Sequence, residues 1–314
     1  MDKLTSWIQT TPFKEYTRSL ASADASFRKY YRLSAKNKKS VIVMDSSLEK
    51  DSLIPFIDVT KRLLNAGVRA PHIFEQSKEH GYLILEDFGN TPLLDILNKE
   101  NFTTLYLLAI DEIITMQKAS IENLPLYDKA FLHLEMDLMQ EWYLEKNLQL
   151  TLTQMQKNLI QKSLHSISDI VLDQEQNVFV HRDFHSRNIM LTNKQEIGVI
   201  DYQDAINGAI TYDLVSLLKD CYIAFDRKHI EKLVLAFRDK KRLQIEDALF
   251  LKQFDFMGLQ RHIKVLGIFS RLSLRDKKDG YLKDIPLTLK YTIETALRYK
   301  ETQAFGKLLQ ELTQ

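Results

Sequence analysis

Runs rich in β-branched and aromatic residues, 26 to 33 (SFRKYYRL) and 40 to 44 (SVIVM), flank the polar turn AKNKK, which predicts a β-hairpin. The pattern then changes. Leu53, Ile57, Leu63 and Leu64 recur at helical intervals up to Asn65-Ala66-Gly67, so one helix is expected from Leu53 to Ala66, stopped before Pro71. Residues 72 to 76 (HIFEQ) and 81 to 86 (GYLILE) predict two more strands, joined by the charged turn SKEH. Asp87-Phe88-Gly89-Asn90 breaks the pattern.

Beyond residue 91 the helical period dominates, near 102 to 119, 134 to 148, 153 to 172, 211 to 226, 229 to 240, 246 to 272 and 287 to 312. Strands are expected in this half only at 178 to 180, 189 to 192 and 197 to 200. The expected class is therefore α+β. A small sheet-rich lobe with one main helix covers 1 to 90, with a hinge at 86 to 90. A larger helical lobe, carrying a short β insert, covers 91 to 314. The length of 314 residues agrees with two lobes, since it exceeds the usual size of a single core.

Composition narrows the partners. The 45% hydrophobic and 27% charged fractions are ordinary for a folded chain, and 43 basic against 42 acidic residues create no overall pull toward nucleic acid or an anionic membrane. Any anion must be handled locally. The basic run RDKKR at 238 to 242 is short and lacks interleaved aromatics, as a solvated helix end would. Cys221 is the only cysteine and has no internal partner. The start, MDKLTSWIQTTPFKEY, has no basic segment followed by an apolar run, and no window approaches the roughly 18 apolar residues of a membrane span. A cytoplasmic protein is expected, with neither nucleic acid nor membrane as partner.

The β insert holds the chemistry. In FVHRDFHSRNIML, residues 179 to 191, Asp183 and Asn188 lie five apart on a polar loop between apolar flanks, and in VIDYQDA a second carboxylate, Asp201, ends the next expected strand. Residue types alone leave two possibilities. The segment is either a polar turn between buried strands or a phosphoryl-transfer site, in which Mg²⁺ takes hard oxygen ligands and a nucleophile needs a positioned proton acceptor.

HRDFHSRN followed by IDYQD resembles the catalytic loop and metal-binding segment of the protein-kinase-like fold, in the version found in aminoglycoside and choline phosphotransferases. The spacing matches at all three positions. The resemblance implies a bilobal fold with ATP and Mg²⁺ as cofactors. Asp183 would accept the hydroxyl proton, Asn188 and Asp201 would hold the metal, and the backbone at Glu86, Asp87 and Phe88 would meet adenine. His185 either donates to the transferring phosphate or bonds backbone. Arg182 and Arg187 either approach phosphate or hold nearby carboxylates, the second role being favoured for Arg182. Asp213, in TYDLVSLL, matches an aspartate that supports the loop in related phosphotransferases, although capping of a helix start is a sufficient explanation for it.

The chain departs from the protein-kinase pattern in its first lobe, where neither a GxGxxG loop nor the strand lysine and its helix glutamate is evident. The first turn reads ASADASFRKY, so Ser22, Asp24 and Ser26 stand as candidates near phosphate. Met44 occupies the expected lysine place, and Asp58 is the nearby acid on the helix. Arg28, Tyr30 and Arg32 alternate onto one strand face, which makes Arg28 and Arg32 candidates to neutralise phosphate instead.

Within that family, HRDFHSRNIM, VIDYQDAINGAITYDLVSLLKDCYI, DASFRKYYRL and QRHIKVLGIFSRLSLRDKKDGYL are similar to the bacterial anomeric kinases of N-acetylmuramate and N-acetylglucosamine, over most of residues 20 to 290. This implies an amino sugar phosphorylated at its C1 hydroxyl during cell-wall recycling; a monomer is compatible with it. Candidate sugar contacts are Glu135, Asp137, Glu141, Trp142, Arg261, His262 and Lys264, with Arg261 and Lys264 matched to a lactyl carboxylate. Trp142 either stacks on the pyranose or belongs to the core. The alternatives are a kinase of the same fold for an aminoglycoside, choline or an amino-acid alcohol, and a nucleotide-binding pseudokinase scaffold.

Overall fold

The structure, a computed structural model, describes residues 2–23, 28–192 and 194–314. Asp24 and Ser26 lie outside the described residues, and only the backbone of Ser22 is described. The chain divides into two compact units, Met1–Ile96 with Arg187–Asp204, and Leu97–Ser186 with Ala205–Gln314. A split at residue 90 does not anticipate the return of 187–204 to the first unit.

The first unit opens with α1 (Lys3–Ile8), β1 (Thr17–Ala23), β2 (Lys29–Ser34), β3 (Val41–Asp45), α2 (Leu53–Asn65), β4 (Ile73–Ser77), β5 (Tyr82–Glu86) and a short α3 (Leu93–Ile96). Its antiparallel sheet has the order β1-β2-β3-β5-β4. Alternation along the inner strands sorts their side chains. Leu33, Val41, Val43, Tyr82 and Ile84 pack with Leu4 and Ile8 of α1, while Tyr30, Arg32, Ile42 and Leu85 line a cavity. β3 is interior and buried on both faces, which is why VIVM reads as a continuous apolar run. The hydrophobic pattern predicts neither α1 nor β1. α1 has only Leu4 and Ile8 as buried anchors, and β1 is an edge strand of small and polar residues with an irregular register between Leu20 and Ser22.

The second unit begins with α4 (Phe102–Met116) and α5 (Lys129–Leu138), and α5 runs on as a π-helix, Met139–Asn147. The start of α5 lies earlier than the pattern predicts, at Asp128, whose carboxylate accepts from the Phe131 amide at 2.9 Å. α6 (Gln154–Leu172) follows a Thr153/Gln156 capping box and leads into β6 (Val178–Val180). The hairpin β7 (Ile189–Leu191) and β8 (Ile197–Val199) belongs to the first unit, where Val199 N donates to Arg69 O and Leu191 N to Thr91 O, both at 2.9 Å. β9 (Ile206–Gly208) then pairs with β6, and α7 (Tyr212–Leu218), α8 (Arg227–Lys241), α9 (Asp247–Leu274), α10 (Ile285–Arg298) and α11 (Gln303–Leu312) complete the second unit.

Two helices are shorter than their patterns predict. The one expected over 211 to 226 ends at Leu218, because the chain leaves helical geometry at Lys219 and turns Asp220 toward the loop after β6. The one expected over 287 to 312 breaks at extended Tyr299, whose hydroxyl donates to Asp255 at 2.8 Å.

α9, 28 residues long, is buried on nearly every side, and its interior polar residues include Gln260, Arg261, His262 and Lys264. Gly267 lets it approach α5 closely, since a Cβ there would stand 2.4 Å from the Leu138 carbonyl carbon and 2.6 Å from Met139 N. Gly267→Ala is expected to cost about 1–3 kcal/mol by overpacking against backbone, at about 2–4 °C of Tm per kcal/mol. Calorimetry checks this, and an unchanged Tm would mean the helices part freely. Among the described residues no helix is long and apolar enough to cross a membrane.

Candidate active site

In the first unit, a cavity of about 520 Å³ is lined by the β-sheet face, the 85–90 segment, Arg187, Asn188 and Asp201. At its hinge edge the two carboxylates are spent on arginines. Glu86 accepts from Arg69, with Nη1 to Oε2 at 2.7 Å, and this partner outweighs burial to hold it below the usual carboxylate range. Asp87, whose side chain is only 3% exposed, takes Arg32 through two bonds, Nε to Oδ2 at 2.6 Å and Nη2 to Oδ1 at 3.0 Å, together with Ser40 Oγ at 2.6 Å and Gly89 N at 2.8 Å. Burial opposes its charge, but Arg32, Ser40 and the Gly89 amide prevail and keep it low. With these side chains engaged, 86–88 can present main chain and the Phe88 ring to adenine. That ring lies against β8, where a Cβ on Gly198 would come within 2.6 Å of it.

Arg32 is thus bound to Asp87 and not turned toward an anion. Arg28 is buried, and Met44 is fully buried where a strand lysine was sought. The basic side chains lining the cavity are Arg32 and Arg187.

Asn188 and Asp201 meet at the same cavity, Asn188 Nδ2 donating to Asp201 Oδ2 at 3.2 Å and Ile200 N to Asn188 O at 3.1 Å. The β7–β8 hairpin brings them together, Asn188 just before β7 and Asp201 two residues after β8. Asp201 stands at φ 64°, a conformation costly for a residue other than glycine, and Gln203 Nε2 bonds its Oδ1 at 3.0 Å. Adjacent carboxylate and carboxamide oxygens are the hard donors Mg²⁺ takes, so this pair fits the ion.

In the second unit, Asp183 follows a second strained residue, Arg182 at φ 76°. The amide, the carbonyl and one end of the guanidinium of Arg182 are gripped, while its Nε has no hydrogen-bond partner among the described residues. Asp213 accepts from its amide at 3.1 Å and from the His181 amide at 2.8 Å, Arg261 donates to its carbonyl at 2.8 Å, and Glu135 accepts from its guanidinium at 2.6 Å. Capping therefore does not explain Asp213: α7 has no side-chain cap, and the carboxylate reaches back to the loop, where burial pushes it up to about 6. Asp183 itself is 43% exposed, and Arg261 stands 3.9 Å from its Oδ1. Burial would raise it, but Arg261, Lys264, His185 and Arg182 together bring it down to about 2, so it is ionised at neutral pH. Burial holds His185 below the usual histidine range, and its Nδ1 has no hydrogen-bond partner among the described residues. The uncharged ring can donate one hydrogen bond.

The candidate sugar contacts separate. Glu135 and Lys264 are buried and paired with one another at 2.9 Å, and Glu135 also takes Tyr127 Oη, Arg182 and Gln260 Nε2, the last at 3.3 Å. That commits them beneath the loop and leaves almost no surface for a sugar. His262 is buried against the Lys219 carbonyl at 3.0 Å. Trp142 is half-buried on the π-helix with the Lys146 ammonium 3.6 Å from its ring centre, and Asp137 and Glu141 are exposed, bonded to Gln161 and Lys146.

Several supporting residues were not singled out from sequence: Tyr127, Gln260 and Asp220. Asp220 accepts from the amide of Ser186 at 2.9 Å and from its hydroxyl, fixing the end of the loop. The partners of Asp220 and Gln260 lie 34 and 125 residues away, and although Tyr127 is only eight residues from Glu135, no motif spacing marks any of the three.

Comparison with known proteins agrees with this geometry. A sequence profile described as the phosphotransferase enzyme family matches residues 17–244. The chain is 39% identical to an N-acetylmuramate/N-acetylglucosamine kinase of Neisseria meningitidis serogroup B over 99% of this chain and 95% of that protein. It is 36% identical to the protein of the same name from Pseudomonas aeruginosa, over 94% and 88%. Among solved structures, an ADP-bound aminoglycoside phosphotransferase shares the fold at a TM-score of 0.63 and 16% identity, over 94% of this chain and 99% of that one. A choline/ethanolamine kinase family protein from Mesorhizobium loti does so at 0.67 and 12%, over 99% of each.

Proposed function

Because the chain belongs to the phosphotransferase enzyme family and is an ATP-dependent kinase of a small-molecule alcohol, we propose that its acceptor is the anomeric C1 hydroxyl of N-acetylmuramate, N-acetylglucosamine or both. The observation that carries this substrate is the similarity to kinases of that name, which runs from one end of the chain to the other.

In the transfer, the C1 oxygen bonds to the γ-phosphorus of ATP, and the bond from that phosphorus to the β–γ bridging oxygen breaks, its electron pair leaving with ADP. The hydroxyl proton passes to an Asp183 oxygen. Asn188 and Asp201 would hold Mg²⁺, which would supply positive charge to offset that of the nucleotide phosphates. His185 donates a hydrogen bond to the transferring phosphate. An aspartate held near 2 is a weak base, and it suits a hemiacetal hydroxyl, more acidic than an ordinary alcohol.

Phosphorus NMR of reactions containing Mg-ATP and either sugar tests the assignment. An anomeric phosphate ester is the expected product. Transfer to an aminoglycoside, choline or an amino-acid alcohol with neither sugar modified would replace the substrate, and no transfer to any of them would favour a nucleotide-binding scaffold.

A further inference from the structure

Arg261 was matched from sequence to a sugar carboxylate, yet only 7% of its side chain is exposed. It projects from α9 under the loop that bears Asp183. Its Nη1 donates to the Arg182 carbonyl at 2.8 Å and lies 3.9 Å from Asp183 Oδ1, and its guanidinium carbon stands 5.7 Å from the centre of the Tyr212 ring. The carbonyl it holds belongs to the residue at φ 76°, whose amide Asp213 takes from the opposite side. One side chain therefore fixes both the strained peptide before the base and the side from which the carboxylate is reached.

We propose that Arg261 is a positioning residue of the transfer step, clamping the Arg182 carbonyl and backing the Asp183 carboxylate so that the carboxylate faces the acceptor hydroxyl, while Arg261 itself touches no part of the sugar. This rests on Asp183 being the proton acceptor. The charged and titratable groups around Asp183 come from three quarters. Arg182, His181 and His185 lie on its own loop, Arg261 and Lys264 on α9, and Asp213 and Asp220 on and just past α7. Lys264 is spent on Glu135 and Tyr212. The nearest cation whose hydrogen bonding serves the Asp183 peptide directly is Arg261.

The consequence separates this role from substrate recognition. A ligand to a lactyl carboxylate would discriminate between N-acetylmuramate, which carries one, and N-acetylglucosamine, which does not. A residue behind the base would affect both sugars alike. It would also change the response to pH, because losing the guanidinium raises the pKa of Asp183, and activity that needs its ionised form is then lost at a higher pH than before.

Arg261→Met and Arg261→Lys, measured with both sugars and beside Asp183→Asn, decide the matter. Arg261→Met is expected to lower kcat by about 10²-fold, by the same factor for each sugar, with both KM values within about twofold. The loss is expected to be larger near pH 5.5 than near pH 8.5, with Arg261→Lys recovering part of kcat and most of the pH response. Should the Met protein fail to fold, the Lys protein carries the test, a kcat loss common to both sugars with unchanged KM supporting the proposal. A rise in KM confined to N-acetylmuramate would overturn it, making Arg261 a carboxylate ligand. A loss independent of pH, with Lys no better than Met, would also overturn it, leaving only a structural role. If Asp183→Asn keeps full turnover, the base itself is misassigned; if Asp183→Asn is inactive while Arg261→Met turns over normally, only the inference about Arg261 falls.

Discussion

Asp183→Asn is expected to lower kcat by about 10²- to 10⁴-fold, the range for removing a positioned proton acceptor, while ATP affinity stays within about twofold of wild type. The substitution keeps size and hydrogen bonding but removes the charge that takes the hydroxyl proton. ATP affinity should be spared because every residue lining the nucleotide-sized cavity belongs to the first unit, whereas Asp183 belongs to the second. Steady-state rates and nucleotide titration measure the two quantities separately. A large fall in ATP affinity with kcat unchanged would contradict the assignment of Asp183 as base. Because the surrounding arginines and lysine outweigh burial and hold Asp183 near 2, it stays ionised throughout the neutral range, and its protonation should not limit the wild-type rate above about pH 5.

Asp201→Ala is the second large effect. It removes the carboxylate of the pair in the cavity, leaving Asn188 as the sole member, and is expected to reduce kcat/KM for Mg-ATP by about 10²- to 10³-fold, as for loss of a group stabilising transition-state charge. The Mg²⁺ concentration at half-maximal rate should rise with it, since hard-oxygen ligation is what the pair supplies. Titration of Mg²⁺ at fixed ATP reads this directly. If Asp201→Ala responded to Mg²⁺ as wild type does, the pair would have no part in metal binding. Asp201 is held at φ 64° by its surroundings, so circular dichroism and thermal melting of the variant are needed alongside, to separate a lost ligand from a relaxed backbone.

Much of the site was legible because its chemistry is local. Asp183 and Asn188 are five residues apart, and Asp201 follows the next short strand, so residue type and spacing marked all three as candidates, and the β7–β8 hairpin brings Asn188 and Asp201 together. The inner strands were legible for a similar reason: a sheet covered on one face by α1 and lining the cavity with the other leaves short apolar, β-branched and aromatic runs bounded by polar turns. α1 and β1 lacked this signal. One has two buried anchors, and the other is an irregular edge with little to bury.

The partners of long-range polar residues were not legible in the sequence, and all for one reason. Arg32 alternates onto the cavity face as expected, but whether its guanidinium serves phosphate or Asp87 depends on a carboxylate 55 residues away. Glu135 and Lys264 look like substrate ligands on separate helices until α5 and α9 cross and bury them against each other, 2.9 Å apart. Asp213 suited either a helix start or support of the loop, and only the fold shows its carboxylate accepting from the His181 and Arg182 amides.

By itself the sequence determined the periodicities, and hence most of the elements, and it marked Asp183, Asn188 and Asp201 as candidates, because both are written in short-range spacing. Only the tertiary structure decided which charged side chains pair with one another and which hold the loop. An ionised group buried by helix packing must find a partner of opposite charge or a backbone dipole, and the identity of that partner is settled by how distant helices cross.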